Sequence, residues 1–142
     1  MSRYAIVLAT FYGELARRLL EGARSRFGEA GADVDVFEVP GAFELAPAAK
    51  FLARSGRYAG VACVGAVIRG ETDHYDFVCS QAAAGIMQVQ LETGVPCAFG
   101  VLTCDTMEQA LARSGGDKRD QGRHAADAVL ALDGVRRSLQ TG

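Results

Sequence analysis

Apolar and polar positions follow one another in blocks that switch between two periods. Tyr4 to Ala9 is an unbroken apolar run, as a strand buried on both faces requires. Leu15, Leu19, Leu20 and Ala23 then recur at helical spacings, and Gly28 and Gly31 close that helix. β-Branched and aromatic residues return from Val34 to Val39, and Pro40-Gly41 ends this second strand. Phe43 to Ala53 reads as a helix with Leu45, Ala49 and Leu52 on one face. Gly60 to Ile68 is the most apolar run of the chain and reads as a central strand. A longer helix is expected over about Tyr75 to Leu91, a fourth strand over Ala98 to Leu102, and a short helix over Thr106 to Arg113. After the polar stretch SGGDKRDQG, Arg123 to Leu139 reads as a last amphipathic helix.

The order βαβαβαβαα predicts an α/β fold with parallel pairing between successive strands. The expected architecture is a single domain over residues 1–142. It would be a three-layer sandwich whose four-stranded, mainly parallel sheet is flanked by helices on both faces. Ligands of such sheets bind beyond the carboxyl ends of the strands.

Composition narrows the picture further. An apolar fraction of 49% and a charged fraction of 23% over 142 residues suit a packed globular core and exclude a disordered chain. A formal charge of -2 without like-charge runs points away from nucleic acid. The N-terminal apolar stretch breaks at Thr10, too soon for a signal peptide or a membrane span. Cys63, Cys79, Cys97 and Cys104 form no C-x-x-C pair, so reduced, mostly buried thiols in a cytoplasmic protein are expected, with no metal site.

Polar and aromatic residues gather after the strands. Thr10-Phe11-Tyr12-Gly13 follows the first and Pro40-Gly41-Ala42-Phe43-Glu44 the second. Arg69 to Tyr75 follows the third and Thr103-Cys104-Asp105 the fourth. His74, at a helix start, has the imidazole that general acid–base catalysis uses near neutral pH; a surface histidine fits the position equally. Gly70-Glu71-Thr72 precedes a helix N-terminus, where free N–H groups cradle phosphate or where Thr72 or Asp73 simply caps the helix. Arg113 can grip phosphate through its guanidinium fork or stay solvated at a helix end. Phe11 and Phe43 can stack on a planar heterocycle or fill a core.

Four ordered segments, ATFYGELARRLLEGA, VPGAFELAPAAK, GAVIRGETDHYDFVC and FGVLTCDTMEQALARSGG, together resemble the motifs of the lumazine synthase family. The resemblance runs from about Tyr4 to Leu132. It implies the riboflavin-biosynthetic condensation of 5-amino-6-(D-ribitylamino)uracil with 3,4-dihydroxy-2-butanone 4-phosphate, with no cofactor or metal. By resemblance, Phe11 stacks on the pyrimidine. Ala42, Phe43 and Glu44 hold the ribitylaminouracil, and Ala66, Val67 and Ile68 offer backbone groups to it. Glu71, Thr72 and Arg113 bind the butanone phosphate, His74 carries protons, and Phe99 reaches the ring from a neighbouring subunit.

The resemblance therefore also implies a homo-oligomer with sites at subunit interfaces, a pentamer that some relatives build into icosahedral shells. It adds riboflavin synthase as a partner enzyme. Three positions depart from the family pattern. Gln121 stands where many members carry Lys, with Lys118 and Arg119 nearby to replace its charge, and Tyr12 stands where Asn is usual. The first core strand begins close to Met1, so an additional N-terminal strand that many relatives add to a neighbour's sheet is not expected. Two rival readings are the archaeal type of riboflavin synthase, whose substrate carries no phosphate, and a non-catalytic α/β binding module. A receiver domain would need acidic residues where Ala9-Thr10-Phe11 stands.

Overall fold

The computed structural model describes residues 2–116 and 118–140. Among them the chain forms strands β1 (Arg3–Ala9), β2 (Asp33–Val39), β3 (Val61–Ile68) and β4 (Cys97–Cys104). The helices are α1 (Gly13–Glu29), α2 (Leu45–Arg54), α3 (His74–Thr93), α4 (Met107–Ala112) and α5 (Gln121–Gln140). The strands pair in the order β2-β1-β3-β4, all in parallel, which is the α/β sandwich that the alternation predicts.

Side-chain alternation assigns the two faces of the sheet. From β1, Tyr4, Ile6 and Leu8 enter a core with α1 and α5, where Leu15, Leu19, Phe27, Ala126 and Val129 are fully buried. Ala5, Val7 and Ala9 enter the opposite core with α2 and α3, against Leu45, Ala49 and Ile86. The interior strands β1 and β3 are buried on both faces, which explains their unbroken apolar sequences. Edge strand β2 is only half covered and carries Asp33, Asp35 and Glu38.

Several boundaries differ from the sequence expectation for identifiable reasons. The segment read as one helix from Phe43 splits into a 3-10 turn, Ala42–Glu44, and α2 from Leu45. Pro47 enforces the split: an α-helix begun at Phe43 would need the N–H that proline lacks, and its ring would press on the Phe43 carbonyl. Strand β4 runs on through Thr103 and Cys104, which pair with Val67 and Ile68. Helix α3 ends at Thr93 rather than Leu91, where Gly94 takes a left-handed φ of 69°. Helix α5 starts two residues early, because the Asp120 carboxylate accepts the Arg123 N–H at 3.1 Å.

A buried polar cluster joins α5 to the start of the sheet. Asp133 is 3% exposed. It accepts hydrogen bonds from the Tyr4 hydroxyl at 2.6 Å and Arg136 Nη2 at 2.9 Å, and pairs with Arg137 Nε at 3.0 Å. Arg136 also donates to the Ala59 and Gly94 carbonyls, so one helix holds the turns before β3 and after α3.

Candidate active site

In the order β2-β1-β3-β4, the chain leaves β1 toward one edge for β2 and returns past it to β3. The crevice at such a switch point is where open parallel sheets bind ligands. Here it holds a cavity of about 580 Å³ at the carboxyl ends of the strands. Its walls are Phe11 and Tyr12 after β1, the 3-10 turn after β2, Ala66 to Ile68 at the end of β3, and the first turns of α3.

Local structure explains why this edge stays open. The Thr10 hydroxyl donates to the Val39 carbonyl at 3.3 Å and ties the ends of β1 and β2 together. Glu44 folds back so that Oε1 accepts the Gly41 N–H at 3.0 Å, which braces the turn carrying Phe43. Phe11 is 74% exposed and Phe43 58% exposed. Two aromatic faces left in solvent at the rim of one cavity suit a flat ring between them. Phe11 is steadied edge-on by Tyr12, with ring centroids 4.8 Å apart.

The polar end of the cavity lies at the start of α3. His74 is the first helical residue, and its N–H donates to Thr72 Oγ1 at 3.3 Å. Asp73, at the cap position, makes no side-chain capping bond, so the helix end keeps N–H groups and positive dipole for an anion. Tyr75 forms the adjacent wall, and burial raises its phenol above the ordinary pKa.

The structure brings most of the expected site residues together. Phe11, Ala42, Phe43 and Glu44 line the cavity, as do Ala66, Val67 and Ile68. Thr72 and His74 complete the polar end. Three residues stand outside its walls. Glu71 is exposed in the same turn as Thr72. Arg113 caps α4, where its Nη1 donates to the Gln109 carbonyl at 3.1 Å, and its charge is felt at Cys104. Phe99 sits half-buried on β4, packed on the α2/α3 side of the sheet.

Tyr75, Phe77 and Val78 also line the cavity and were not singled out from the sequence; Tyr12, noted from the sequence as a departure from the family pattern, lines it too. A helical period counted from His74 finds Phe77 and Val78 on its own face. Burial, aided by Cys97, pushes the Cys63 thiol far up, and burial pushes Cys97 up to about 12, which disfavours the thiolate at both. All four are free thiols, and Cys79 alone is only half-buried.

The 6,7-dimethyl-8-ribityllumazine synthase family model matches residues 1–136. The chloroplastic 6,7-dimethyl-8-ribityllumazine synthase of Spinacia oleracea is 47% identical over 132 residues, which are 92% of this chain and 60% of that protein. The 6,7-dimethyl-8-ribityllumazine synthase of Salinibacter ruber is 46% identical over 133 residues, 92% of this chain and 85% of the relative. The Coxiella burnetii protein of the same name is 43% identical over 141 residues, 97% and 93% of the two chains. The chain thus spans 60% of the spinach protein's length and most of each bacterial relative's.

Proposed function

Because this chain belongs to the 6,7-dimethyl-8-ribityllumazine synthase family, we propose that it catalyses the condensation of 5-amino-6-(D-ribitylamino)uracil with 3,4-dihydroxy-2-butanone 4-phosphate. The products are 6,7-dimethyl-8-ribityllumazine, phosphate and water. The observation that carries this reading is the cavity itself, aromatic at one end and headed by the Thr72–His74 turn at the other. One end suits a flat pyrimidine and the other a phosphate.

The amine of the uracil is already a nucleophile, so the protein's task is chiefly alignment. Holding two reactants in register can supply about 7–11 kcal/mol of the barrier. Phe11 and Phe43 would bracket the ring, Ala66 to Ile68 would meet its polar edge, and Glu44 would turn from Gly41 to the ribityl hydroxyls. Thr72 and the N–H groups of the α3 terminus would hold the phosphate, with Arg113 supplying the charge. Glu71 would contribute its N–H while its exposed carboxylate faces away, since two anions repel. His74 would carry protons as the imine forms, phosphate leaves, the ring closes and water departs.

Arg113 and Phe99 lie outside the cavity of a single chain, which supports a site completed in a homo-oligomer, as in the pentamers that the resemblance implies. The free thiols support a reducing compartment, the cytoplasm. Riboflavin synthase would consume the product.

Mixing the purified protein with the two substrates and following the fluorescent lumazine against the uncatalysed background tests the reading. His74→Ala is expected to lower kcat on the order of 10²-fold while the fold persists. Arg113→Ala should act mainly through the KM of the butanone phosphate. A folded protein that binds lumazine but gives no acceleration would sink the condensation in favour of a binding protein.

A further inference from the structure

We propose that Tyr12 is a positioning residue for the ribitylaminouracil: its ring, anchored in the core, meets Phe11 edge-on and holds that phenylalanine at the cavity rim. The inference rests on the proposed condensation, in which Phe11 stacks on the pyrimidine, and adds Tyr12 to the residues that shape the site.

Phe11 stands between two anchored neighbours. On one side, the Thr10 N–H donates to the Val39 carbonyl at 3.0 Å and the Thr10 hydroxyl to the same oxygen at 3.3 Å, which fixes the end of β1 on β2. On the other, the Tyr12 carbonyl accepts the Ala16 N–H at 2.9 Å and opens α1. The Tyr12 ring is half-buried and packs on the core shared by α1 and α5. The backbone of Phe11 is thus set from both ends, whereas its side chain is mostly exposed and enters neither core.

Among the described residues Phe11 has a single aromatic neighbour, Tyr12, with 4.8 Å between centroids and 82° between ring planes. In this edge-to-face geometry the positive rim of one ring meets the negative face of the other. Both residues line the cavity. A phenylalanine χ1 has three staggered wells, and an exposed ring without a neighbour divides itself among them. Tyr12 favours the well in which the Phe11 ring lies against it. Such a pair is worth about 2- to 10-fold in a conformational equilibrium. A site whose competent conformer is less populated binds more weakly by the same factor.

Ring and hydroxyl can be told apart. The contact with Phe11 and the packing on the core both belong to the ring. Tyr12→Phe keeps both, whereas Tyr12→Leu keeps apolar contact with the core and loses the edge-to-face pair. The two substrates can be told apart as well. The butanone phosphate is assigned to the Thr72–His74 turn, at the other end of the cavity from Phe11, so a wandering Phe11 ring weakens the grip on the pyrimidine and leaves the phosphate alone.

The test is fluorescence titration with 6,7-dimethyl-8-ribityllumazine and steady-state kinetics of Tyr12→Leu, Tyr12→Phe, Phe11→Leu and the Phe11→Leu/Tyr12→Leu double variant, each with a melting curve. In Tyr12→Leu the lumazine Kd and the KM of the ribitylaminouracil should rise by about 2- to 10-fold. The KM of the butanone phosphate should stay near its wild-type value and the melting temperature within a few degrees. Tyr12→Phe should recover most of the loss. Because Tyr12 acts through Phe11, the double variant should bind no more weakly than Phe11→Leu. A lumazine Kd that rises by less than about twofold in Tyr12→Leu would overturn the role, since the edge-to-face pair is worth at least that. So would a failed rescue by Tyr12→Phe, additive losses in the double variant, or equal losses for both substrates with a large drop in melting temperature. A wild type that binds lumazine without turnover sinks the condensation, and the titration still decides Tyr12. A wild type that does not bind lumazine overturns both.

Discussion

Asp133 shows how one residue outside the site can govern the molecule's response to pH. Burial opposes its ionisation, but the hydrogen bonds from Tyr4, Arg136 and Arg137 outweigh that and hold its pKa below the usual 3.8. A carboxylate whose folded pKa is depressed stabilises the fold above its unfolded pKa. That contribution is lost as pH falls through the folded value. Wild-type stability should therefore decline below about pH 4 with a component that Asp133→Asn removes, while at neutral pH the variant should lose about 1–3 kcal/mol. Urea titrations of both proteins across that range read the difference, and parallel acid profiles would sink the assignment. Nothing in the sequence pattern separates Asp133 from the other charges of α5, because its burial is decided by Tyr4, 129 residues away. Phe11, Phe43 and His74 are legible for the opposite reason: each directly follows a strand or its turn, where topology alone brings residues together.

At the scale of elements, the period of the apolar pattern was sufficient for every strand and helix, and errors arose only at the ends. Caps decide ends, and caps depend on single atoms. Pro47, Asp120 and Gly94 each moved a boundary by means that periodicity does not register. Packing between elements is also hidden from the pattern, and Gly100 is the clearest case. A Cβ at this position of β4 would lie 2.6 Å from the Ala125 Cβ on α5 and 2.9 Å from the Cys63 carbonyl oxygen on β3. Neither neighbour is the free end of a flexible side chain, so α5 would have to lift from the sheet. Gly100→Ala is expected to destabilise by about 1–3 kcal/mol through overpacking. The denaturation midpoint should drop without a change in its slope, since the surface exposed on unfolding is the same. An unchanged midpoint would mean that α5 packs more loosely than the structure has it.

For the whole molecule, the most informative feature is a helix with too many apolar faces. Val78, Ala82, Ile86 and Val89 turn α3 toward the sheet, as its period demands. Yet Phe77, Met87 and Leu91 lie on its outer side, and Leu91 is 76% exposed. On α2, packed alongside α3, Phe51 is exposed as well. A helix apolar all round belongs in an interior, and a contiguous exposed apolar surface marks an interface. In the proposed pentamer this surface would lie between subunits, and Phe77 would link it to the cavity that it also lines. Charges placed there should separate subunits without unfolding them, because no core contact is removed. Met87→Glu with Leu91→Lys is expected to give a smaller particle by light scattering with an unchanged circular dichroism spectrum. If a neighbour's Phe99 completes each site, turnover should fall together with particle size and return as raised protein concentration restores the oligomer. A wild type that is monomeric at micromolar concentration would sink the assembly, and full turnover from a dissociated variant would confine the site to one chain.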